Sequence, residues 1–244
     1  MFKSKVFLAE FIGTFALVFI GASSWIVSGG NLVIPALATG LTLTVFTYAY
    51  GHISGTHINP AVTFGLALQG SVKWGVALVS YWIPQFVGAI VAAFLLKLFL
   101  DPLSPQAFAG AATTGALNSE YPLYAMVVEV LLTFFLVNTV LHTSVGGKGG
   151  QMAGLAIGLT YAVAILSGGA LTGGSLNPAR TFGPALFTGD WKTPMTYLIY
   201  FVGPLLGSLI AVAAYQFFTM EAKVEEEEVD EAEDELEVAE EEKP

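Results

Sequence analysis

Two segments of this chain, 118 residues apart, repeat nearly the same short sequence. Gly55–Leu68 and Gly173–Leu186 are identical at nine of 14 positions, and both contain Asn-Pro-Ala. Each motif opens an apolar stretch, Asn59–Leu68 or Asn177–Phe187, that as a helix would span about half of a ~30 Å hydrocarbon core. Because Asn is a favourable N-cap and Pro suits the first helical position, both stretches are predicted to be short helices. The chain is therefore an internal duplication in which each half contributes one half-length helix.

Six longer apolar runs accompany these motifs, and each is long enough to cross a bilayer, which takes about 20 helical residues. We place them at about 6–27, 34–51, 75–98, 124–145, 151–168 and 195–219. Because each repeat holds an odd number of spans, the two halves insert with opposite topology and one half-helix enters from each face. The expected fold is an all-α membrane protein with six transmembrane helices and two re-entrant half-helices in two inverted repeats, an arrangement typical of a transport site.

The charges divide the chain into a body and a tail. The formal net charge of −10 separates into −12 for residues 221–244 and +2 for residues 1–220. Residues 1–220 are predicted to form one channel domain, with repeat 1 at about 5–100 and repeat 2 at about 121–219. The acidic tail holds too little apolar surface to offset its ordering entropy and is predicted to be disordered. It is interpreted as a solvated spacer or as a docking segment for a basic partner, whose identity the sequence does not indicate.

The composition argues against several functional classes. Only 11% of the residues are charged, against about one quarter in a soluble domain, and there is no cysteine. This argues against a soluble enzyme, a nucleic-acid binder and a thiolate metal site. No His, Asp or Glu cluster has metal-ligand spacing, and no nucleophile motif or phosphate loop is present. We therefore expect no enzyme activity, no catalytic residue, no metal and no cofactor.

The lysines predict the orientation of the chain. Four of them share the side of the termini and two lie on the other side: Lys3, Lys5, Lys73 and Lys148 against Lys97 and Lys192. An excess of lysine marks the cytoplasmic side of a membrane protein. Both termini, with the tail, are therefore expected in the cytoplasm, and the chain is expected to be a multi-pass protein of the cell membrane.

Facing half-helix N-termini predict a barrier to cations at the membrane centre. They bring partial positive charges and free backbone N–H groups there, and the amides of Asn59 and Asn177 can donate hydrogen bonds into the same spot. Arg180 follows the second motif directly. Because an arginine at membrane depth costs at least ~2.5 kcal/mol, we interpret it as a pore-lining donor, with an interfacial snorkelling arginine as the alternative.

Two glutamates and two histidines are further candidates. Glu10 and Glu129 occupy equivalent positions of the two repeats. We expect each carboxylate to accept hydrogen bonds from exposed N–H groups of a re-entrant loop, and a proton relay is the alternative. His52 and His57 flank the first loop, where they are candidates for lining its cytoplasmic mouth, with satisfied buried histidines as the alternative.

The segments SGTHINPAV and TGGSLNPAR resemble the two NPA signatures of the aquaporin (major intrinsic protein) superfamily, and AEFIGTF near the N-terminus and GPxxG in the last span also match. The resemblance covers about residues 5–219. It implies a passive channel in the lipid bilayer, assembled as a homotetramer with one pore per subunit and excluding protons and ions. It assigns the pore motifs to Asn59, Pro60, Ala61, Asn177, Pro178 and Ala179.

The resemblance also implies a second, narrower constriction, which counting from the motifs assigns to Thr39, Ile165, Gly174 and Arg180. This set departs from the water-specific pattern Phe-His-Cys-Arg and from the glycerol pattern Trp-Gly-Phe-Arg. In addition, Thr181 stands where glycerol channels usually carry an aspartate. The set resembles the wider filters of the superfamily. It implies a prokaryotic-type aquaporin that passes water and small uncharged solutes such as glycerol, urea, boric acid or dissolved gases.

Two other functions belong to different classes. A proton-coupled secondary transporter would use Glu10 and Glu129 as proton carriers. A structural membrane protein could keep the same fold without conducting. The absence of acidic residues near the Asn motifs favours the channel over the transporter.

Overall fold

The computed structural model describes residues 2–100, 102 and 107–220. Six helices in this part of the chain are long and apolar enough to cross a membrane: α1 (Ser4–Val27), α2 (Val33–Ser54), α4 (Trp74–Leu100), α5 (Pro122–Val145), α6 (Gly150–Thr172) and α8 (Pro194–Met220). Two shorter helices are α3 (Pro60–Gln69) and α7 (Pro178–Thr188). The predicted fold class is confirmed, and every predicted span overlaps one long helix. The predicted acidic tail, 221–244, lies outside the described residues.

The short helices begin and end where local chemistry requires. Asn59 and Asn177 are the N-caps of α3 and α7, and a proline follows each of them. Gly70 and Gly189 end the two helices at φ values of 96° and 91°, a left-handed conformation that glycine adopts without steric cost. With 10 and 11 residues, α3 and α7 reach about half-way through a bilayer.

Glycines let the long helices cross closely at equivalent places of the two repeats. Where α2 meets α6, a Cβ on Gly40 would lie 2.5 Å from the carbonyl oxygen of Gly158. A Cβ on Gly88 would lie 2.6 Å from the carbonyl oxygen of Phe11, and one on Gly207 would lie 2.4 Å from that of Val130. Any side chain at these positions would force the helices apart. Small residues are common in contacts between membrane helices because they allow this close approach.

Each half-helix is held by helices of the other repeat. A Cβ on Gly183 of α7 would lie 2.4 Å from the carbonyl oxygen of Ala89 in α4, so α7 packs on repeat 1. A Cβ on Gly65 of α3 would lie 2.9 Å from the side chain of Val137 in α5, so α3 packs on repeat 2. The packing therefore interlocks the repeats around the two Asn-Pro motifs.

Three of the long helices contain a π-helical stretch that the sequence did not predict, and one of these is Leu141–Val145 at the end of α5. The other two, Ala77–Trp82 in α4 and Leu198–Val202 in α8, lie at equivalent places of the repeats. In them, the hydroxyl of Tyr81 donates to the carbonyl oxygen of Ser54 at 2.8 Å, and that of Tyr200 donates to the carbonyl oxygen of Thr172 at 2.5 Å. The π turns thus direct a tyrosine onto the last carbonyl of α2 and of α6, immediately before each re-entrant loop.

Candidate functional site

The two re-entrant loops are joined by a reciprocal pair of hydrogen bonds. Nδ2 of Asn59 donates to the carbonyl oxygen of Leu176 at 2.8 Å, and Nδ2 of Asn177 donates to the carbonyl oxygen of Ile58 at 2.9 Å. Both asparagines are almost fully buried. An amide NH₂ carries two hydrogens, so each asparagine retains a second donor hydrogen after making this bond.

The Asn side chains also begin the half-helices. Oδ1 of Asn59 accepts from the backbone N–H of Ala61 at 2.8 Å. Oδ1 of Asn177 accepts from the N–H groups of Ala179 at 3.0 Å and Arg180 at 3.1 Å. With the oxygen fixed on its own helix and one hydrogen on the opposite loop, the orientation of each amide is determined. The N-termini of α3 and α7 therefore meet with their positive ends towards each other.

The residues before the asparagines have unusual backbone conformations. Ile58 and Leu176 have φ values of 39° and 55°, in the left-handed region that side chains other than glycine seldom adopt. Such conformations cost about 1–3 kcal/mol each and persist where the surroundings over-determine them. Here they turn the two carbonyl groups towards the opposing asparagine, so the strained geometry is coupled to the reciprocal hydrogen bonds.

Glu10 contacts the first loop with both carboxylate oxygens. Oε1 accepts from the hydroxyl of Ser54 at 2.6 Å and from the N–H of His57 at 2.9 Å. Oε2 accepts from the N–H of Ile58 at 2.6 Å and from Nε2 of Gln85 at 2.8 Å. The carboxyl group is fully buried, and it occupies two loop N–H groups that would otherwise lack partners at membrane depth.

Glu129 makes the equivalent contacts with the second loop. Its carboxylate accepts from the hydroxyl of Thr172 at 2.7 Å and from the N–H groups of Ser175 and Leu176 at 3.0 and 2.7 Å. It is also fully buried. Because Ile58 and Leu176 are each held at N–H by a glutamate and at C=O by an asparagine, the four side chains fix both loops.

A small cavity lies beside the first loop. Its volume of about 20 Å³ is enough for roughly one water molecule. The lining combines loop residues with apolar side chains of four long helices and includes His57, Asn59, Leu17, Leu43, Leu136 and Tyr161. The space therefore has an apolar wall on the helix side, and the loop contributes the polar residues Thr56, His57 and Asn59.

The two candidate histidines differ in position. His57 is buried in the loop, where its ring stacks on Tyr81 with 4.3 Å between centroids and its Nδ1 lies 3.0 Å from Oγ1 of Thr63. It lines the small cavity as well, so it is both hydrogen-bonded and next to that space. His52 is exposed on α2 and does not belong to the lining of that cavity. The structure therefore brings His57, and not His52, to the loop.

The candidate constriction residues are all buried, although they differ in their contacts. A Cβ on Gly174 would lie 3.2 Å from Cα of Ile165, which brings these two residues together. The Thr39 hydroxyl faces α1, where a Cβ on Gly21 would lie 3.1 Å from Thr39 Oγ1. That hydroxyl has no hydrogen-bond partner among the described residues. Two of the four positions thus present a small side chain or none.

Arg180 is held by a residue that the sequence did not single out. Its side chain is only 3% exposed, and its Nη1 donates to Oγ1 of Thr113. Thr181 also donates to Thr113, at 3.2 Å, and a Cβ on Gly173 would lie 3.0 Å from Thr113 Cγ2. Thr113 therefore bridges the second loop and the first turn of α7. It lies in an irregular connection with no helical periodicity, so no sequence signal pointed to it.

The geometry suits the passage of neutral hydrogen-bonding molecules. Two amide hydrogens and one guanidinium provide donors, and the facing helix ends provide a positive field. A water molecule or a neutral solute can accept from these donors, whereas a cation meets an unfavourable potential. Among the described residues, no group of three or more His, Asp or Glu side chains is arranged to hold a metal ion.

Comparisons with known proteins agree with this geometry. The family model described as Major intrinsic protein matches residues 1–215. Aquaporin TIP1-2 of Zea mays is 40% identical over 225 residues, covering 87% of this chain and 85% of the relative. Glycerol uptake facilitator protein-like 6 of Lactiplantibacillus plantarum is 38% identical over 213 residues, covering 85% and 94%. The fold is similar to that of an aquaglyceroporin from Plasmodium falciparum, with a TM-score of 0.74 and 24% identity over 87% of this chain and 95% of that one.

Proposed function

This chain belongs to the major intrinsic protein family, and from that premise we propose that its pore passes water and small uncharged solutes while excluding protons and other ions. It is a passive channel for water and small solutes in a membrane, and it is not an enzyme. The proton-coupled transporter and the non-conducting structural protein are not supported, because the relatives are aquaporins and glycerol facilitators.

The reciprocal bonds between the Asn-Pro loops carry the proposal. They hold the positive ends of α3 and α7 face to face and leave one amide hydrogen on Asn59 and one on Asn177 for a passing molecule. A water molecule that accepts from both donors points its own hydrogens away from them. Both of its lone pairs are then occupied, so it cannot accept a proton from a neighbouring water, and the helix dipoles add an electrostatic barrier.

The wider solute range rests on the candidate constriction. Thr39 and Gly174 occupy two of its positions and leave space where water-specific relatives, by resemblance, carry larger side chains. Arg180 supplies a fixed donor and a positive charge, held in place by Thr113. We therefore include glycerol, urea, boric acid and dissolved gases among the candidate solutes.

Stopped-flow light scattering on proteoliposomes tests this function. Vesicles containing the channel should shrink in impermeant osmolyte faster than empty vesicles, and they should take up glycerol and urea faster. A membrane potential or pH gradient should persist as long as in empty vesicles. Water shrinkage no faster than in empty vesicles would refute the channel, and solute uptake no faster would refute the wider filter.

The assembly and orientation belong to the proposal as well. A groove of about 490 Å³ between α5 and α6 carries polar side chains on the membrane-facing surface, namely Asn138, Thr139, Thr160 and Ser167. Polar groups are less favourable against lipid than against protein, so we infer that a second copy covers this groove and that the assembly is a homotetramer. The lysine distribution supports cytoplasmic termini in the cell membrane. Light scattering of the detergent-solubilised protein and protease protection of the termini in right-side-out vesicles test these points.

A further inference from the structure

Trp25, near the end of α1, contacts the stretch of α6 that carries Ile165. A Cβ on Gly169 would lie 3.4 Å from Cη2 of Trp25 and 3.4 Å from Cγ2 of Ile165. The same Cβ would lie 2.7 Å from Cδ1 of Leu32. Gly169 follows Ile165 by one helical turn, so the indole lies beside one residue of the candidate constriction.

The second re-entrant loop also contacts Ile165 and Gly169. A Cβ on Gly174 would lie 3.2 Å from Cα of Ile165 and 3.6 Å from Cα of Gly169. Neither glycine supplies a side chain at this level. The side chains of Trp25 and Leu32 are therefore the large ones next to Ile165, and of the two only the indole of Trp25 carries a hydrogen-bond donor.

Trp25 also stands on the face of α1 that meets Thr39. Gly21 precedes it by one turn, and a Cβ on Gly21 would lie 3.1 Å from Thr39 Oγ1. Residues four apart on a helix share a face. Trp25 thus connects two corners of the candidate constriction, Thr39 on α2 and Ile165 on α6.

Two polar atoms at this place lack partners. Nε1 of Trp25 and Oγ1 of Thr39 are both buried and have no hydrogen-bond partner within the described part of the chain. A buried N–H without an acceptor is unfavourable, and native proteins keep few of them. Each of these groups is therefore free to bond a small polar molecule placed beside it, and an oxygen atom of a water or neutral solute would satisfy the Trp25 N–H.

We propose that Trp25 is a further specificity-determining residue of the pore. Its ring supplies the bulk that Thr39 and Gly174 do not, and its Nε1–H donates a hydrogen bond to the oxygen of a passing water or neutral solute. This inference rests on the proposed channel function. It assigns Trp25 two separable effects. The bulk of the ring limits the size of the solutes admitted, and the N–H donor affects the permeation rate of water and of solutes that accept hydrogen bonds.

Two substitutions separate the effects. Trp25→Ala removes both bulk and donor, and it should raise the ratio of glycerol to water permeability by about tenfold, the factor typical of a changed apolar pocket. Trp25→Phe keeps a ring and removes the donor, and it should lower water permeability by about fivefold with the polyol size limit unchanged. Trp191, which is 39% exposed, gives matched controls as Trp191→Ala and Trp191→Phe, and both should behave like the parent.

The measurements are water and polyol permeabilities of proteoliposomes with equal amounts of reconstituted protein, with helical content checked by circular dichroism. If neither Trp25 variant changes the water permeability or the glycerol-to-water ratio, the inference is wrong while the channel function stands. If parent vesicles are no faster than empty vesicles, the channel function itself fails. Should Trp25→Ala not fold, Trp25→Phe still decides the donor role, and an unchanged water permeability in it overturns that role.

Discussion

Asn59 and Leu176, separated by 117 residues, are joined by a 2.8 Å hydrogen bond from the Asn59 amide to the Leu176 carbonyl oxygen. The equivalent bond from Asn177 to Ile58 measures 2.9 Å. Each bond therefore fixes a residue of one repeat against the other repeat. Each amide keeps one hydrogen that is not used in these bonds, and the bonds fix the direction in which that hydrogen points.

Replacing either amide by an isosteric carboxylate should damage the pore. In Asn59→Asp or Asn177→Asp, a carboxylate oxygen would face a backbone carbonyl oxygen in place of the N–H donor. We expect a loss of about 1–3 kcal/mol of stability and at least tenfold slower water permeation, measured by thermal unfolding in detergent and by stopped-flow scattering. Asn31→Asp is the control, because Oδ1 of Asn31 accepts from the N–H of Val33 and aspartate can do the same. Parent-like permeation in both pore variants would contradict the proposed role.

Neutralising the loop glutamates should lower stability without revealing proton coupling. Both carboxylate oxygens of Glu10 accept from backbone N–H groups. In Glu10→Gln the side-chain NH₂ would face one of these N–H groups, so two donors would meet without an acceptor. Glu129→Gln meets the same conflict at Ser175 or Leu176. Water and glycerol permeabilities should fall together in both variants, and glycerol uptake should produce no pH change in any variant, as a pH-sensitive dye inside the vesicles would report.

Glu120→Gln is the matched control for the glutamates, because Glu120 is exposed. It should leave permeability and unfolding temperature unchanged. A pH change driven by glycerol in the parent, abolished in Glu10→Gln, would instead favour the transporter interpretation.

Arg180 should control both size and charge selection. Arg180→Val removes the guanidinium, so glycerol permeability should rise and proton leak should increase several-fold over the parent. Thr113→Val removes the acceptor of the Arg180 side chain and keeps the charge, so it should alter solute selection with a smaller effect on proton leak. Dye-monitored proton flux and solute uptake measure both. Unchanged values in Arg180→Val would remove this residue from the constriction.

The absence of cysteine offers a direct test of which face of α6 borders the pore. Water permeation of the parent should be insensitive to mercuric ion, because there is no thiol to modify. Ile165→Cys should become sensitive, since Ile165 is fully buried beside Gly174. Leu166→Cys is the control, because Leu166 is 43% exposed on the outer surface. Equal inhibition of the two cysteine variants would show that Ile165 is not a pore residue.

The crossing of α2 and α6 should not tolerate a methyl group. Gly40→Ala would place its Cβ 2.5 Å from the carbonyl oxygen of Gly158, and the strain should cost about 1–3 kcal/mol. Gly51 lies on the same helix with no described atom within 4 Å of its Cβ position, so Gly51→Ala should be neutral or slightly stabilising. Thermal unfolding of the two variants compares them. Equal unfolding temperatures would contradict the packing described for Gly40.

The sequence predicted the helices well because their signals are local. Apolar runs located six spans, and Asn-Pro with a later glycine located α3 and α7. The end of α6 was placed too early, at residue 168. In the structure the helix continues to Thr172, and Gly168 and Gly169 inside it pack closely against Leu132 and Trp25.

The parts of the candidate site that the sequence did not indicate depend on contacts between distant segments. Thr113 is 67 residues from Arg180, and no periodicity or motif marks it. The π turn at Tyr81 forms because the tyrosine reaches Ser54, which the local sequence does not reveal. His52 and His57 were indistinguishable by position, although only one lies in the loop. Trp25 lies in an apolar span, where no motif distinguishes it from its neighbours. Its position beside the candidate constriction follows from its contact with Gly169 in α6.

The packing of each half-helix on the opposite repeat has a consequence for how the chain matures during synthesis. When α3 leaves the ribosome, its partner α5 and the loop that accepts the Asn59 amide do not yet exist. At about 5–20 residues per second, the 117 residues that separate Asn59 from Leu176 take roughly 6–23 s to be made. During that interval the first repeat lies in the membrane without the contacts from the second repeat that complete its re-entrant loop. Assembly of the two facing loops is therefore a late event, because it requires Leu176 and Asn177, which are made last of the four partners.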